Sequence, residues 1–360
     1  MAHQLHKPSK GRGALSQPGV RFDSWTRETD VEHIAHELAT EELPPLRTVV
    51  NEDPAKSIIS HNQSPDIPFE QSINPYKGCE HGCVYCYARP SHAYLGLSPG
   101  LDFETKLFYK PNAAELLKKG LNKPGYRPSV IALGANTDPY QPIEKKYGVT
   151  RSILEVLRDY QHPVSVISKS ALVERDIDIL QAMAKRNLVR VFLSITTLDH
   201  SISRHLEPRT SAPLRRMEAV KKLSAAGIPT GVMVAPVIPV LTDKDIERVL
   251  EAAAAAGAIS AGYVLLRLPY EVKPLFIEWL QEHFPQRANH VMSIIRQMRN
   301  GKENDANFGS RMRGEGEFAN LLAQRFRKAC ERLGLNGERT PLDLTQFRVP
   351  AKATSQLSLF

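Results

Sequence analysis

The stretch Asn74-Pro75-Tyr76-Lys77-Gly78-Cys79-Glu80-His81-Gly82-Cys83-Val84-Tyr85-Cys86-Tyr87-Ala88-Arg89 decides the reading of this chain. Three of the four cysteines in 360 residues stand here as C-x3-C-x2-C, and the fourth, Cys330, lies far downstream. A structural zinc site is closed by four protein ligands, whereas a four-iron cluster held by three thiolates keeps one iron open for another ligand. The loop therefore points to a reactive 4Fe-4S cluster on Cys79, Cys83 and Cys86. Gly78 and Gly82 supply the backbone freedom that so short a metal loop requires. Two plainer readings stay open. Zinc completed by His81 or His92 is one. Three idle thiols are the other, although idle cysteines have no reason to cluster among glycines and polar residues.

Outward from the loop, the sequence alternates short apolar runs with longer helical stretches. The runs predict strands at Ser72–Asn74, Lys106–Tyr109, Val130–Leu133, Val164–Ile167, Val189–Ile195, Gly231–Ala235 and Tyr263–Leu266. Helices are expected at Ala113–Leu121, Arg151–Tyr160, Arg175–Arg186, Leu214–Ala226 and Lys244–Ala256. Strand and helix in alternation imply a parallel α/β sheet, because each crossover helix returns the chain beside the preceding strand. Six or so units predict an open, partial (β/α)6 TIM-like barrel. Gly227 and Gly257 serve as helix stops, while Thr242 and Asp243 are candidate caps.

Ligands in parallel α/β proteins gather at the carboxyl ends of the strands. The cysteine loop follows the first predicted strand, and other polar groups share that position. Asn136 and Asp138 follow the third strand; Lys169, with Ser168 and Ser170, follows the fourth; Ser194 ends the fifth, before Thr196 and Thr197. A lysine there neutralises a carboxylate, and hydroxyls or an amide bond an amino acid or a ribose. Each is equally at home as a turn or cap residue, so their shared location is the argument.

The cysteine spacing, with Tyr85 before the last cysteine, resembles the signature of the radical S-adenosylmethionine (SAM) superfamily. Further stretches resemble spore photoproduct lyase and its uncharacterised relatives: Arg190-Val-Phe-Leu-Ser-Ile195, His205-Leu-Glu-Pro-Arg-Thr210, Ala225-Ala-Gly-Ile228 and Val232-Met-Val-Ala-Pro-Val-Ile238. The resemblance covers roughly residues 70 to 270. It implies a 4Fe-4S cluster on Cys79, Cys83 and Cys86, and SAM as the second cofactor, cleaved to a 5'-deoxyadenosyl radical. It also implies SAM contacts at Tyr85, Lys169 and Ser194, a hydrogen-relay role for Tyr87, and an electron donor such as flavodoxin or ferredoxin. One departure matters. Where the lyase carries a hydrogen-donating cysteine this chain has Ala135, so the lyase's own reaction is not assigned, and Cys330 would serve only if the C-terminal region folded back over the site.

Composition bounds the rest. A hydrophobic content of 42% with 24% charged residues is globular, and no run approaches the ~18 apolar residues of a membrane span. The absence of a secretory-type apolar leader, together with a thiol loop, predicts the cytoplasm. The formal charge of +8 leans towards polyanionic partners. The excess sits towards the ends, in residues 1–22 and 287–339.

The expected organisation has four parts: a basic disordered tail and extension over 1–67, the radical SAM core over 68–270, a helical region over 271–345, and a linker with a terminal motif over 346–360. In the first part a short helix is expected over Thr29–Leu38. In the third, helices are expected at Phe276–His283, Ala288–Arg299 and Phe318–Leu333. The Gly-rich link Asn300–Gly316, with Arg311 and Arg313, is either a solvated connector or a phosphate loop. The last residues, Gln356-Leu357-Ser358-Leu359-Phe360, resemble the motif with which bacterial repair proteins hold the sliding clamp. The function expected is a radical SAM enzyme acting on DNA, in repair or base modification. One alternative is such an enzyme acting on RNA, a peptide or a small molecule. A non-catalytic, cluster- or zinc-stabilised nucleic-acid-binding protein is the other.

Overall fold

A computed structural model describes residues 9–22, 46–338 and 340–350. The expected helix Thr29–Leu38, the linker 351–355 and the motif Gln356–Phe360 lie outside the described residues.

One seven-stranded sheet forms the centre. Its strands in chain order are β1 (Ile59–His61), β2 (Gln71–Ile73), β3 (Ile131–Leu133), β4 (Val164–Ser168), β5 (Val189–Ser194), β6 (Thr230–Val237) and β7 (Ser260–Leu265). They lie side by side in that same order. β1 pairs antiparallel with β2, and every pair from β2 to β7 is parallel. Six parallel strands in sequential order make the open, partial barrel expected. The expected strand Lys106–Tyr109 is not part of it. That strand lies in a separate three-stranded sheet, between Val49–Glu52 and Tyr76–Lys77. It pairs with the opening of the cysteine loop itself, and its Leu107 packs both against Gly78 of the loop and into the barrel core.

The crossover helices are α1 (Ala113–Leu121), α2 (Val149–Asp159), α3 (Ile177–Ala184), α4 (Pro213–Ala225) and α5 (Ile246–Ala255). Each places an apolar stripe against the sheet; on α2 the stripe is Val149, Ile153, Leu154, Val156 and Leu157, spaced by helical turns. Full burial of one such aliphatic side chain contributes about 1.5–3 kcal/mol. Gly227 and Gly257 take left-handed backbone after α4 and α5, as expected of helix stops. The expected Thr242 cap is different in fact. Its hydroxyl accepts from the Ile238 backbone N–H at 2.8 Å, bracing the turn after β6 instead of the helix.

Beyond β7 come α6 (Val272–His283), α7 (Pro285–Gln297) and α8 (Gly316–Arg332). Phe276, Trp279, Leu280, Val291 and Ile295 share an apolar cluster with Val84 and Tyr85 of the cysteine loop. The C-terminal helices are thus the outer wall of the loop. Cys330 does not reach the loop: it is buried under α8 in the other core, with Asn336 Nδ2 at 3.6 Å from its sulfur.

The link after α7 is not a free connector. Asn304 accepts from the Leu268 N–H just beyond β7. Arg311 forks onto Asp66, between β1 and β2, at 2.5 and 2.7 Å. Since β1 and β7 are the two edges of the open sheet, this segment straps the edges together. Nor is the whole N-terminus a disordered leader. Arg12, Ala14 and Leu15 are buried, because this segment finds its partners in distant residues that local composition does not reveal.

Candidate metal and cofactor site

The cysteine loop leaves β2 at the carboxyl end of the sheet and is held by backbone bonds on all sides. Cys79 N donates to Phe103 O at 2.9 Å, Val84 N to Leu206 O at 3.2 Å, and Cys86 N to Cys83 O at 3.2 Å. Gly78 and Gly82 adopt φ of +72° and +67°. A side chain at Gly78 would meet Leu107 and the Phe103 carbonyl, and one at Gly82 would meet the Glu104 carboxylate. Glycine is required at both, by conformation and by space.

Arg89, fully buried, is the internal clamp of the loop. Its guanidinium donates to the carbonyls of Cys83 (2.9 Å), Gly82 (3.3 Å), Pro99 (3.1 Å) and Gly100 (2.9 Å), and pairs with Glu104 Oε1 at 2.5 Å. Glu104 also accepts the backbone N–H groups of Gly13 and Ala14, at 3.0 and 2.8 Å. The N-terminal segment therefore runs directly over the loop. A Cβ on Gly13 would collide with the Gly82 carbonyl. On this side Arg12 donates to the Glu104 carbonyl, the Leu46 carbonyl and Thr48 Oγ1.

Cys79 and Cys83 are buried and Cys86 is half-buried. Burial raises all three thiols above their ordinary pKa, and for Cys79 the neighbouring Asp138, Cys83 and Cys86 add to it. Lys169 beside Cys83 and Cys86, and Arg89 beside Cys86, only partly offset this, and a cationic metal centre is what would draw the protons off. The donor set fits such a centre. His81 and His92 are engaged elsewhere: His81 Nδ1 lies 3.3 Å from Asp138, and His92 Nε2 lies 2.9 Å from the Lys106 carbonyl. Among the described residues, no three His, Cys, Asp or Glu side chains converge as the ligands of a single metal ion.

Two buried carboxylates organise the rest of the mouth. Asp138 accepts from Ser168 Oγ and from Lys169 N, both at 2.7 Å, and from Tyr140 N at 2.9 Å. Burial pushes its pKa up, but His81 and these donors outweigh it and hold the carboxyl below its usual range. Glu207, fully buried, accepts from the Tyr85 hydroxyl, from Thr196 Oγ1 at 2.7 Å and from Arg216 at 2.6 Å. Burial opposes its ionisation, yet Arg216, Lys169 and the hydroxyls keep it down to about 2. Arg216 also donates to the Ser194 carbonyl at 2.5 Å, tying the end of β5 to Glu207.

Lys169 joins the two knots. Its backbone N–H is on Asp138, while Nζ lies 3.8 Å from Glu207, 5.7 Å from the Tyr85 ring centre and 3.2 Å from the Ala235 carbonyl in β6. Tyr85, Asp138, Lys169 and Ser194 are thus brought together. Asn136 is close by, its N–H on Asn74 Oδ1 at 2.8 Å. Tyr87 stands half-exposed, its hydroxyl on the Ala135 carbonyl and the Arg267 guanidinium over its ring at 5.7 Å.

Glu207, Arg216, Arg89, Glu104 and the segment around Gly13 escaped the sequence reading. Glu207 lies inside the quoted His205–Thr210 stretch, and that stretch was the one signal able to mark it.

Comparison with known proteins agrees with this geometry. An uncharacterised protein of Mycobacterium tuberculosis is 36% identical over 232 residues, covering 64% of this chain and 68% of that one. A protein named radical SAM Nalpha-GlyT isomerase, from Pseudomonas phage M6, is 27% identical over 243 residues, 65% of this chain and 48% of that one. Among solved structures, a spore photoproduct lyase variant with bound AdoMet and dinucleoside spore photoproduct superposes with a TM-score of 0.55 at 18% identity, over 80% of each chain, which is a likeness of fold. The Radical SAM superfamily model matches residues 73–253, the span from β2 to α5 that carries the cysteine loop and both carboxylate knots, and the chain belongs to that superfamily.

Proposed function

We propose that this protein is a radical SAM enzyme that acts on DNA. The observation that carries the chemistry is the placement of Cys79, Cys83 and Cys86 on a rigid loop beside the Lys169–Glu207–Tyr85 group. Cys79, Cys83 and Cys86 would hold a 4Fe-4S cluster; Lys169 and Ser194, with the half-buried Asn136, would receive SAM. Bound there, the cluster would supply the electron for reductive cleavage of SAM. The chain's own residues do the rest by position. Arg89 and Glu104 keep the loop from moving, and Glu207 fixes Tyr85 and, 3.8 Å from Lys169 Nζ, orients the lysine beside a site for a carboxylate. Asp138, whose oxygens are already taken by protein donors, positions Lys169 and His81 and is not itself a SAM contact. The apolar wall from α6 and α7 keeps water from the back of the loop.

DNA as substrate is supported by the basic charge and by the lyase of the same fold that holds a dinucleoside photoproduct. Tethering to a sliding clamp through Gln356–Phe360 belongs to the same reading.

The deciding experiment is anaerobic reconstitution with iron and sulfide, then reduction in the presence of SAM. About four irons per chain and release of 5'-deoxyadenosine are expected, with both lost in Cys83→Ala. A protein that takes up zinc alone and releases no 5'-deoxyadenosine would refute the enzyme reading. Nucleoside analysis of damaged and undamaged DNA after turnover then tests the substrate.

A further inference from the structure

Outside the site, three exposed aromatic rings from distant parts of the chain meet around one arginine. Phe22, Tyr94 and Tyr270 are 58%, 75% and 71% exposed. The Arg21 guanidinium lies 4.2 Å from the Tyr270 ring centre, 5.1 Å from that of Phe22 and 5.7 Å from that of Tyr94. The Phe22 and Tyr94 rings are 5.2 Å apart. Arg21 is fixed in place, donating to the Pro90 carbonyl at 2.9 Å, with Nε 3.6 Å from Glu271.

Exposed rings gain little from folding, so three gathered in one place mark an interaction surface. Its members adjoin residues of the barrel mouth in the chain. Pro90 follows the loop clamp Arg89, and Tyr270 stands three residues beyond Arg267, the cation over Tyr87. Projecting rings with a guanidinium among them suit flat bases, each of which offers a π-face. An aliphatic ligand would instead need a concave apolar pocket.

We propose that Phe22, Tyr94 and Tyr270, held together by Arg21, form a stacking platform for the bases of single-stranded DNA next to the nucleotide presented at the barrel mouth. The platform rests on the DNA reading above and names the form in which the DNA is taken.

The test uses the full reconstituted protein and a fluorescein-labelled 12-nucleotide single-stranded DNA, its duplex, and RNA of the same sequence, read by fluorescence anisotropy. Tighter binding of the single-stranded DNA is expected. The pair Tyr94→Ala and Tyr270→Ala should weaken it at least tenfold, and Tyr94→Trp, which keeps a stacking face, should hold affinity near wild type. Iron content and melting temperature, expected to be unchanged at such exposed positions, report that the fold is intact. An unchanged affinity in the double variant, or preference for duplex or RNA, overturns the platform. If the wild type cleaves SAM but binds no strand, the platform fails and the radical SAM reading stands. If Tyr94-dependent binding occurs without SAM cleavage, the platform stands and the enzyme reading fails.

Discussion

Tyr87 donates its phenolic hydrogen bond to the backbone carbonyl of Ala135. The tyrosine after the last cysteine therefore touches Ala135, the position that the resemblance to the lyase aligns with a hydrogen-donating cysteine. A methyl group gives up hydrogen poorly, so the phenol is the transferable hydrogen we propose at that point. Tyr87→Phe is expected to leave 5'-deoxyadenosine release in place and to lower formation of the altered nucleoside at least tenfold, about 1.4 kcal/mol in barrier. The ratio of the two products by mass spectrometry reads the effect, and an unchanged ratio would dismiss a relay through Tyr87.

Glu207 and Arg216 form a fully buried ion pair, with further donors on the carboxylate. Removing one partner strands the other charge. Glu207→Ala should cost about 3–5 kcal/mol, and the paired replacement Glu207→Leu with Arg216→Met should cost less than either single charge removal. Urea unfolding of the metal-free protein separates this from any effect on metal loading.

Gly13 lies against the Gly82 carbonyl with no room for a Cβ. Gly13→Ala should lift the N-terminal segment from the loop, losing the bonds to Glu104 and costing about 1–3 kcal/mol. Iron content after reconstitution should fall with it. If loading and stability both match wild type, the segment is not a working part of the site.

His162 is fully buried, with Nε2 2.8 Å from the Tyr126 hydroxyl and Nδ1 3.0 Å from the Pro163 carbonyl. Burial lowers its pKa to about 4, against the accompanying bond to Pro163. Between pH 4 and about 6.5 the unfolded chain binds a proton that the folded chain refuses, so this stability is intact above that window and is lost as pH falls through it. From pH 7 to pH 5 the loss should be about 2 kcal/mol. Urea midpoints at both pH values, for wild type and His162→Gln, test it: the variant should show the smaller drop.

How far the sequence could be read follows from the range of the interactions involved. The barrel strands announce themselves through local apolar runs, and the metal loop through three closely spaced cysteines. Lys169 and Ser194 were legible because strand ends converge in any parallel barrel. Glu104 was not, since its partners are Arg89 and two backbone N–H groups some ninety residues upstream. Composition also misled at residues 9–22, where small and basic residues look solvated until their acceptors are known. The strand Lys106–Tyr109 has ordinary strand composition, and nothing local says which of two sheets it joins.

The segment over the metal loop has a consequence for the order of folding. It is anchored to Glu104 across some 90 residues, and Ser16 donates to Glu278 at 2.5 Å across 262. Closing chain loops of that length costs entropy that no local contact repays, so such contacts form late. The cysteine loop combines near bonds, Cys86 N to Cys83 O and Cys79 N to Phe103 O, with the distant Val84 N to Leu206 O, so part of it is in place before its cover arrives. Iron thus has open access to the cysteines until Gly13 settles on Gly82, and metal held under that cover should exchange more slowly than metal in Gly13→Ala, where the cover is lifted.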